Sequence, residues 1–370
     1  MPHSERKRTM EGSGRREPFS RVLQDSAASI ADTLTLFTEP APLGVTKVEW
    51  KAVINAAEGV SRHATTAGVL WKGKVSKKEG MENISSFIQA LHGFLLTSHG
   101  STVGAGPTLL SCIDHVSRQV VNSSLSLLRG AVAGLSTSVQ DADLPVLVGC
   151  VWEACETVKK APVSNRIAIG RSLTQVAMSV KDVIREVGDF EQSCSLQYHS
   201  ETSNLAASGL CSSNHERLSE TEAEADSSDE STELSTRLSA EEMQVVESVK
   251  DFASSLLGLI KQLLHVIAGT GSTSKDAQIA DSKATLIWEK ILEQCKALGV
   301  GVDELGASLY PPQEIDILQG TVAEIEDLIE HLQIEVYSLI GSMPEEFLLL
   351  LNASKDAAKC LNKILGAAMT

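Results

Sequence analysis

The run Ile315-Asp316-Ile317-Leu318-Gln319-Gly320-Thr321-Val322-Ala323-Glu324-Ile325-Glu326-Asp327-Leu328-Ile329-Glu330-His331-Leu332-Gln333-Ile334-Glu335-Val336-Tyr337-Ser338-Leu339 decides the fold class. Its apolar members Ile315, Leu318, Val322, Ile325, Ile329, Leu332, Val336 and Leu339 recur at steps of 3 and 4. That spacing puts all of them on one face of an α-helix, whereas a strand would need a period of two. Two more runs repeat the pattern: Ile169, Leu173, Val176, Val180, Val183, Val187, Phe190, and Val246, Val249, Ala253, Leu256, Ile260, Leu263, Ile267. Less regular stripes cover 47–71, 81–97, 108–135, 146–158, 276–298 and 345–365, and no alternating strand is bounded by a hairpin turn.

The chain therefore reads as all-α, with narrow apolar seams of the kind that pack near-antiparallel into bundles. Only 4% of its 370 residues are aromatic, which suits seams filled by Leu, Ile, Val and Ala. Pro107, Pro145, Pro162, Pro311 and Pro344 each stand just before an apolar-periodic run, where the missing proline N–H costs nothing. Between 192 and 239 the pattern fails. Of residues 191–240, 17 are Ser or Thr, and Glu216 to Glu233 adds eight carboxylates. So little apolar surface cannot offset the entropy of ordering, and a flexible acidic linker is expected. The expected organisation is a disordered leader at 1–19, an N-terminal helical bundle at 20–191, the Ser-rich acidic linker at 192–239 and a C-terminal helical bundle at 240–370.

The formal charge of −16 is unevenly spread: residues 1–21 carry +3, 22–215 carry −2, 216–240 carry −6 and 241–370 carry −11. An acidic surface repels phosphate backbones and anionic lipid, so direct nucleic-acid binding is disfavoured. The longest apolar run, Leu144 to Trp152, is 9 residues and contains Pro145 and Gly149, against the roughly 20 that a bilayer requires, and no membrane insertion is expected. The first 30 residues hold no continuous apolar segment of a secretory signal, so the seven cysteines are expected to stay reduced.

Chemistry is sparse. Gly104-Ala105-Gly106-Pro107-Thr108 and Gly269-Thr270-Gly271-Ser272-Thr273-Ser274-Lys275 lack a Gly-Lys-Ser/Thr in register and fit inter-helix turns. There is no His-Glu-x-x-His and no Cys-x-x-Cys; Cys150 and Cys155 would point about 140° apart on a helix. The nine histidines are scattered. No local signature marks a nucleophile, and no inward Glu-x-x-His pair marks a bundle active site. The expectation is a non-enzymatic protein with no cofactor and no metal.

Three features suit partners instead. Glu324, Asp327, Glu330 and Glu335 flank the longest stripe, either as a solvated acidic face or as a docking surface for a basic partner. The stripe itself is either bundle interior, satisfied by Val246–Ile267, or a dimerising coiled-coil face, which leaves the oligomeric state open. In the linker, Ser219, Thr221, Ser227 and Ser228 lie beside carboxylates, a pattern that suits acidophilic kinases; each phosphate would add roughly −1.5 to −2 charges.

Several short motifs, in order, resemble the cyclin-D-binding protein 1 family of cyclin-D-interacting, helix-loop-helix-like proteins. They are Trp50 to Leu70, with Asn55-Ala56-Ala57 and Val60-Ser61-Arg62-His63-Ala64-Thr65-Thr66; Val151-Trp152-Glu153-Ala154-Cys155 and the following helix to about Phe190; and Leu309-Tyr310-Pro311-Pro312. The resemblance implies a two-part helical protein, related in architecture to vinculin and α-catenin bundles, in cytoplasm and nucleus. It also implies a partner that is a D-type cyclin or a helix-loop-helix protein, and negative regulation of cell-cycle progression and of helix-loop-helix transcription factors. A vinculin-like cytoskeletal or adhesion scaffold is the alternative that long-seam bundles equally suit. Among the matched residues, Ser61, Thr65 and Thr66 are placed to bond back to helix carbonyls, and Trp152 to pack between helices.

Overall fold

A computed structural model of the chain describes residues 3–73, 75–134, 143–207, 238–269 and 277–368. Among these the regular structure is all helical: α1 His3–Leu34 with a 3₁₀ turn Thr35–Thr38, α2 Trp50–Leu70, α3 Lys77–Gly100, α4 Pro107–Ala133, α5 Leu144–Lys160, α6 Asn165–Ala207, α7 Ala240–Gly269, α8 Ala277–Ala307, α9 Ile315–Ile340 and α10 Glu345–Ala368. The helices form two compact units, one of residues 1–169 with 274–289, the other of residues 170–273 with 290–370. The sequence places the first boundary at 191, whereas the first unit closes at Ile169 and α6 continues to Ala207. Likewise α1 begins at His3, inside the stretch expected to lack structure. Beyond Ile169, the α6 stripe buries Leu173, Val180 and Val187, and its Val176 and Val183 meet α8, so this part of α6 joins the second core.

The first unit packs α2 against α3 and α5, α4 against α5, and α1 against α3 and α4. Each helix contributes one buried stripe: Val53, Ala57, Val60 and Ala64 from α2, Ile84, Phe87, Leu91 and Leu95 from α3, Ile113, Val120 and Leu127 from α4, Val151 and Val158 from α5. Thr65 and Thr66 do donate to the carbonyls of Ser61 and Arg62, each at 3.0 Å. Trp152 is 46% exposed rather than interior, and its indole N–H donates to Thr65 Oγ1 at 3.2 Å, tying α5 to α2.

The second unit settles the two readings of the long stripe. Leu318, Val322, Ile325, Ile329, Leu332 and Val336 are at most 1% exposed, and every member of the Val246–Ile267 stripe is buried too. The stripe is bundle interior. Its neighbour contacts fix the order of helices around the core. Lys355 donates to Gln333 (2.8 Å) and Asn362 to Glu326 (3.1 Å), so residue numbers rise along α10 as they fall along α9. Gln262 donates to Glu346 (3.1 Å), and Gly258 lies against Leu350, which makes α7 and α10 antiparallel as well. Gly301 meets Ile325 while Lys290 reaches Glu335, so α8 and α9 are antiparallel. Lys250 reaches Glu191 at 2.6 Å and closes the ring from α7 back to α6.

One pair departs from the antiparallel expectation. A Cβ on Gly299 would lie 3.2 Å from Val176 Cγ1, and one on Gly306 would lie 2.8 Å from Val183 Cγ1. Both partners advance by seven residues together, so α6 and α8 run parallel. The glycines let the two helices approach closely. Exposed ion pairs such as Lys290–Glu335 are worth about 0–1 kcal/mol, whereas each fully buried Leu or Ile contributes about 1.5–3 kcal/mol. The apolar seams hold the ring together; the polar pairs fix its register.

Local signals set the helix ends. Ser76 accepts from the Glu79 backbone N–H (3.2 Å) while Glu79 Oε2 accepts from the Ser76 backbone N–H (3.1 Å), a reciprocal capping box at the start of α3. Ser239 and Glu242 repeat it at α7. Pro107 and Pro145 occupy the first turns of α4 and α5, and α9 stops at Gly341, whose φ of 75° supplies the left-handed cap that other residues adopt at a cost. By length and composition α7 could cross a bilayer, but its apolar stripe is inside the second unit.

Candidate functional site

The parallel approach of α6 and α8 has a consequence at the surface. Where residues 183–190 of α6 face residues 303–310, in the last turn of α8 and just beyond it, a groove of about 290 Å³ lies in the second unit. Val183, Val187 and Leu309 supply apolar wall. Phe190 and Tyr310 meet across it with ring centroids 4.8 Å apart and planes tilted by 49°, yet Tyr310 keeps 57% of its surface in solvent. Glu186 and Asp303, one from each helix, complete the rim. Asp182, one turn before, pairs with Arg185 at 3.2 Å, whereas Glu186 and Asp303 have no ion-pair or hydrogen-bond partner among the described residues. The groove thus offers an aromatic surface and two uncompensated carboxylates, with no nucleophile and no histidine in its lining.

The acidic residues expected from the sequence lie elsewhere. Glu324, Asp327 and Glu330 are exposed on α9, away from its buried stripe. Glu335 is separated from them: it is half-buried and accepts from Lys290 Nζ at 3.2 Å, so it anchors α8 to α9. Ser219, Thr221, Ser227 and Ser228 lie outside the described residues. The sequence missed the groove because its two sides are more than a hundred residues apart in the chain. The available signals were Tyr310, quoted there only within the family-like motif Leu309-Tyr310-Pro311-Pro312, and Gly306, which lies beyond the stripe read at 276–298.

The glycine loop at 104–108 holds a carboxylate of its own chain. Thr108 donates to Glu289 through its backbone N–H (3.0 Å) and its hydroxyl, while Asn165 Oδ1 accepts from the Gly106 N–H (2.8 Å) and Asn165 Nδ2 donates to the Gly104 carbonyl (2.9 Å). The N-terminus of α4 is therefore satisfied internally, in keeping with a turn. Among the described residues no group of three or more His, Cys, Asp or Glu is placed to hold a metal ion. Cys155 and Cys295 are buried, and burial pushes both thiols up to about 12, far from the thiolate form that nucleophilic chemistry requires.

Comparison with known proteins places both parts of the chain in one family. Residues 52–193 match the family model described as Grap2 and cyclin-D-interacting, N-terminal, and residues 218–333 match its C-terminal counterpart. The chain is 22% identical to Cyclin-D1-binding protein 1 of Homo sapiens over 327 residues, covering 85% of this chain and 83% of that protein. It is 22% identical over 288 residues to the Cyclin-D1-binding protein 1 homolog of Xenopus laevis, covering 76% and 77%. With the N- and C-terminal models matched in order along a two-unit helical chain, the protein belongs to the Grap2 and cyclin-D-interacting family.

Proposed function

We propose that this chain is a non-enzymatic regulator that acts by binding a D-type cyclin. The observation that carries the reading is family membership over both parts of the chain, with two relatives named for cyclin-D1 binding aligned over three quarters or more of its length. The bound cyclin is withheld from its other partners, so the protein restrains cell-cycle progression. The same mode of action extends to helix-loop-helix transcription factors, which it antagonises without contacting DNA, in both nucleus and cytoplasm. A formal charge of −16 supports that last feature, because an acidic surface is repelled by a phosphate backbone. Phosphorylation of Ser219, Thr221, Ser227 and Ser228 adds negative charge to residues 216–240, which already carry −6, and tunes the interaction.

The test is capture of purified D-type cyclins by the full-length chain at low and at physiological salt. Specific capture that weakens as salt rises is expected, since exposed charges are screened over about 8 Å at physiological ionic strength. Failure to capture any D-type cyclin under either condition, with co-sedimentation on actin filaments instead, would replace this reading with the scaffold alternative.

A further inference from the structure

We propose that the groove between α6 and α8 in the second unit docks a partner segment presenting an arginine beside an apolar side chain. A volume of about 290 Å³ is at the lower end of small-molecule pockets, roughly 300–1,000 Å³. It suits a few side chains of a peptide segment. The half-buried Val183 and Phe190 offer the surface for an apolar side chain, over a floor of buried Val187 and Leu309. The exposed ring of Tyr310, braced by Phe190, offers a flat π-face of the kind on which a guanidinium stacks.

Charge selects the rest. Glu186 and Asp303 stand on different helices at the same groove, and neither is compensated within the described residues. An incoming arginine fork can hydrogen-bond a carboxylate while its plane lies on the tyrosine; a lysine ammonium gives a point charge without that planar match. The second unit, residues 170–273 and 290–370, carries 12 Lys and Arg against 30 Asp and Glu, a net −18, so the field around it favours a cationic partner and opposes an anionic one. The same carboxylates argue against a phosphorylated peptide or a nucleic acid as occupant.

The inference rests on the reading of the chain as a binding protein, but the two fail separately. The probe is a fluorescein-labelled, alanine-based helical peptide with leucine and arginine on one face, titrated into the full chain and followed by anisotropy. Its control carries glutamine at the arginine positions. Saturable binding is expected, weakened at least tenfold by the glutamine control, by the double variant Glu186→Arg/Asp303→Arg and by Tyr310→Ala. All three substituted side chains are exposed, and each variant should keep the wild-type circular dichroism and thermal midpoint. No saturable binding to the wild-type chain, or equal affinity for the double variant, overturns the assignment. So does a wild-type dimer that dissociates in the double variant, which would give the groove to a second copy of this chain. If cyclin D1 binds the wild-type and double-variant chains equally, the cyclin reading stands and the groove falls. If the arginine peptide binds and cyclin D1 does not, the reverse holds.

Discussion

Replacing Gly306 by alanine tests the parallel pairing of α6 and α8 through a sign. In an isolated helix interior Gly→Ala stabilises by about 1 kcal/mol, because the backbone has less freedom to lose. At 306 the added Cβ would lie 2.8 Å from Val183 Cγ1. Carbon atoms rest comfortably at about 3.5–4.0 Å, so something must move by roughly 0.7–1.2 Å. Overpacking of that size costs about 1–3 kcal/mol. The net expectation for Gly306→Ala is a loss of about 0–2 kcal/mol. Shortening Val183 to alanine removes the clashing methyl, and in that background the same substitution should stabilise by about 1 kcal/mol. The coupling between the two sites is then about 1–3 kcal/mol, a size typical of residues in direct contact. Native-state hydrogen exchange over a urea series, read on peptides from α6 and α8, gives the local stabilities of all four chains. If Gly306→Ala stabilises by about 1 kcal/mol in both backgrounds, no atom of α6 lies over residue 306 and the parallel register is refuted.

Other expectations follow from single contacts. Ile329→Ala empties a fully buried position and should cost about 2–5 kcal/mol, whereas Ile334→Ala, 64% exposed on the same helix, should stay within about 0.5 kcal/mol; equal losses in thermal melts would contradict the interior placement of the stripe. Asn83→Leu leaves the Trp71 indole N–H, now 2.9 Å from Asn83 Oδ1, buried without an acceptor, and should lower stability by about 1–3 kcal/mol in urea titration. Ser76→Ala removes the α3 cap at about 1 kcal/mol. The Ser76 hydrogen bonds hold the exposed Glu79 carboxyl below its ordinary 4.5, so its contribution is present above that value and lost as pH falls through the lowered one; the gap between wild type and Ser76→Ala should narrow in acid melts without closing, because the bond from the Glu79 N–H to Ser76 Oγ does not titrate. Pulsed alkylation should label Cys150 and Cys360, both exposed, in the folded chain and reach Cys155 and Cys295 only after unfolding.

The helices were legible because burial on one helical face imposes its period directly. The stripes at 169–190, 246–267 and 315–339 all fall within helices, and Pro107 and Pro145 mark helix starts as expected. What the helices pack against was not legible. Ile169 and Leu173 belong to one continuous stripe, yet the unit boundary falls between them, since a seam records that it is buried and not against which neighbour. The parallel α6/α8 pair depends on Gly299 and Gly306 meeting Val176 and Val183, a match between segments more than a hundred residues apart. The acidic stretch of α9 drew notice through its density of charge, but Glu335 proves to be engaged by Lys290 while Glu186 and Asp303, inconspicuous in sequence, have no ion-pair partner among the described residues. A free carboxylate is a property of its spatial neighbours, which no local pattern records.

Binding of a D-type cyclin is the mode of action proposed for this chain. Titration calorimetry of purified cyclin D1 into the full-length protein at physiological salt tests it most directly. A saturable complex whose affinity falls as ionic strength rises is expected. Heats no larger than those of dilution at every salt concentration would contradict it.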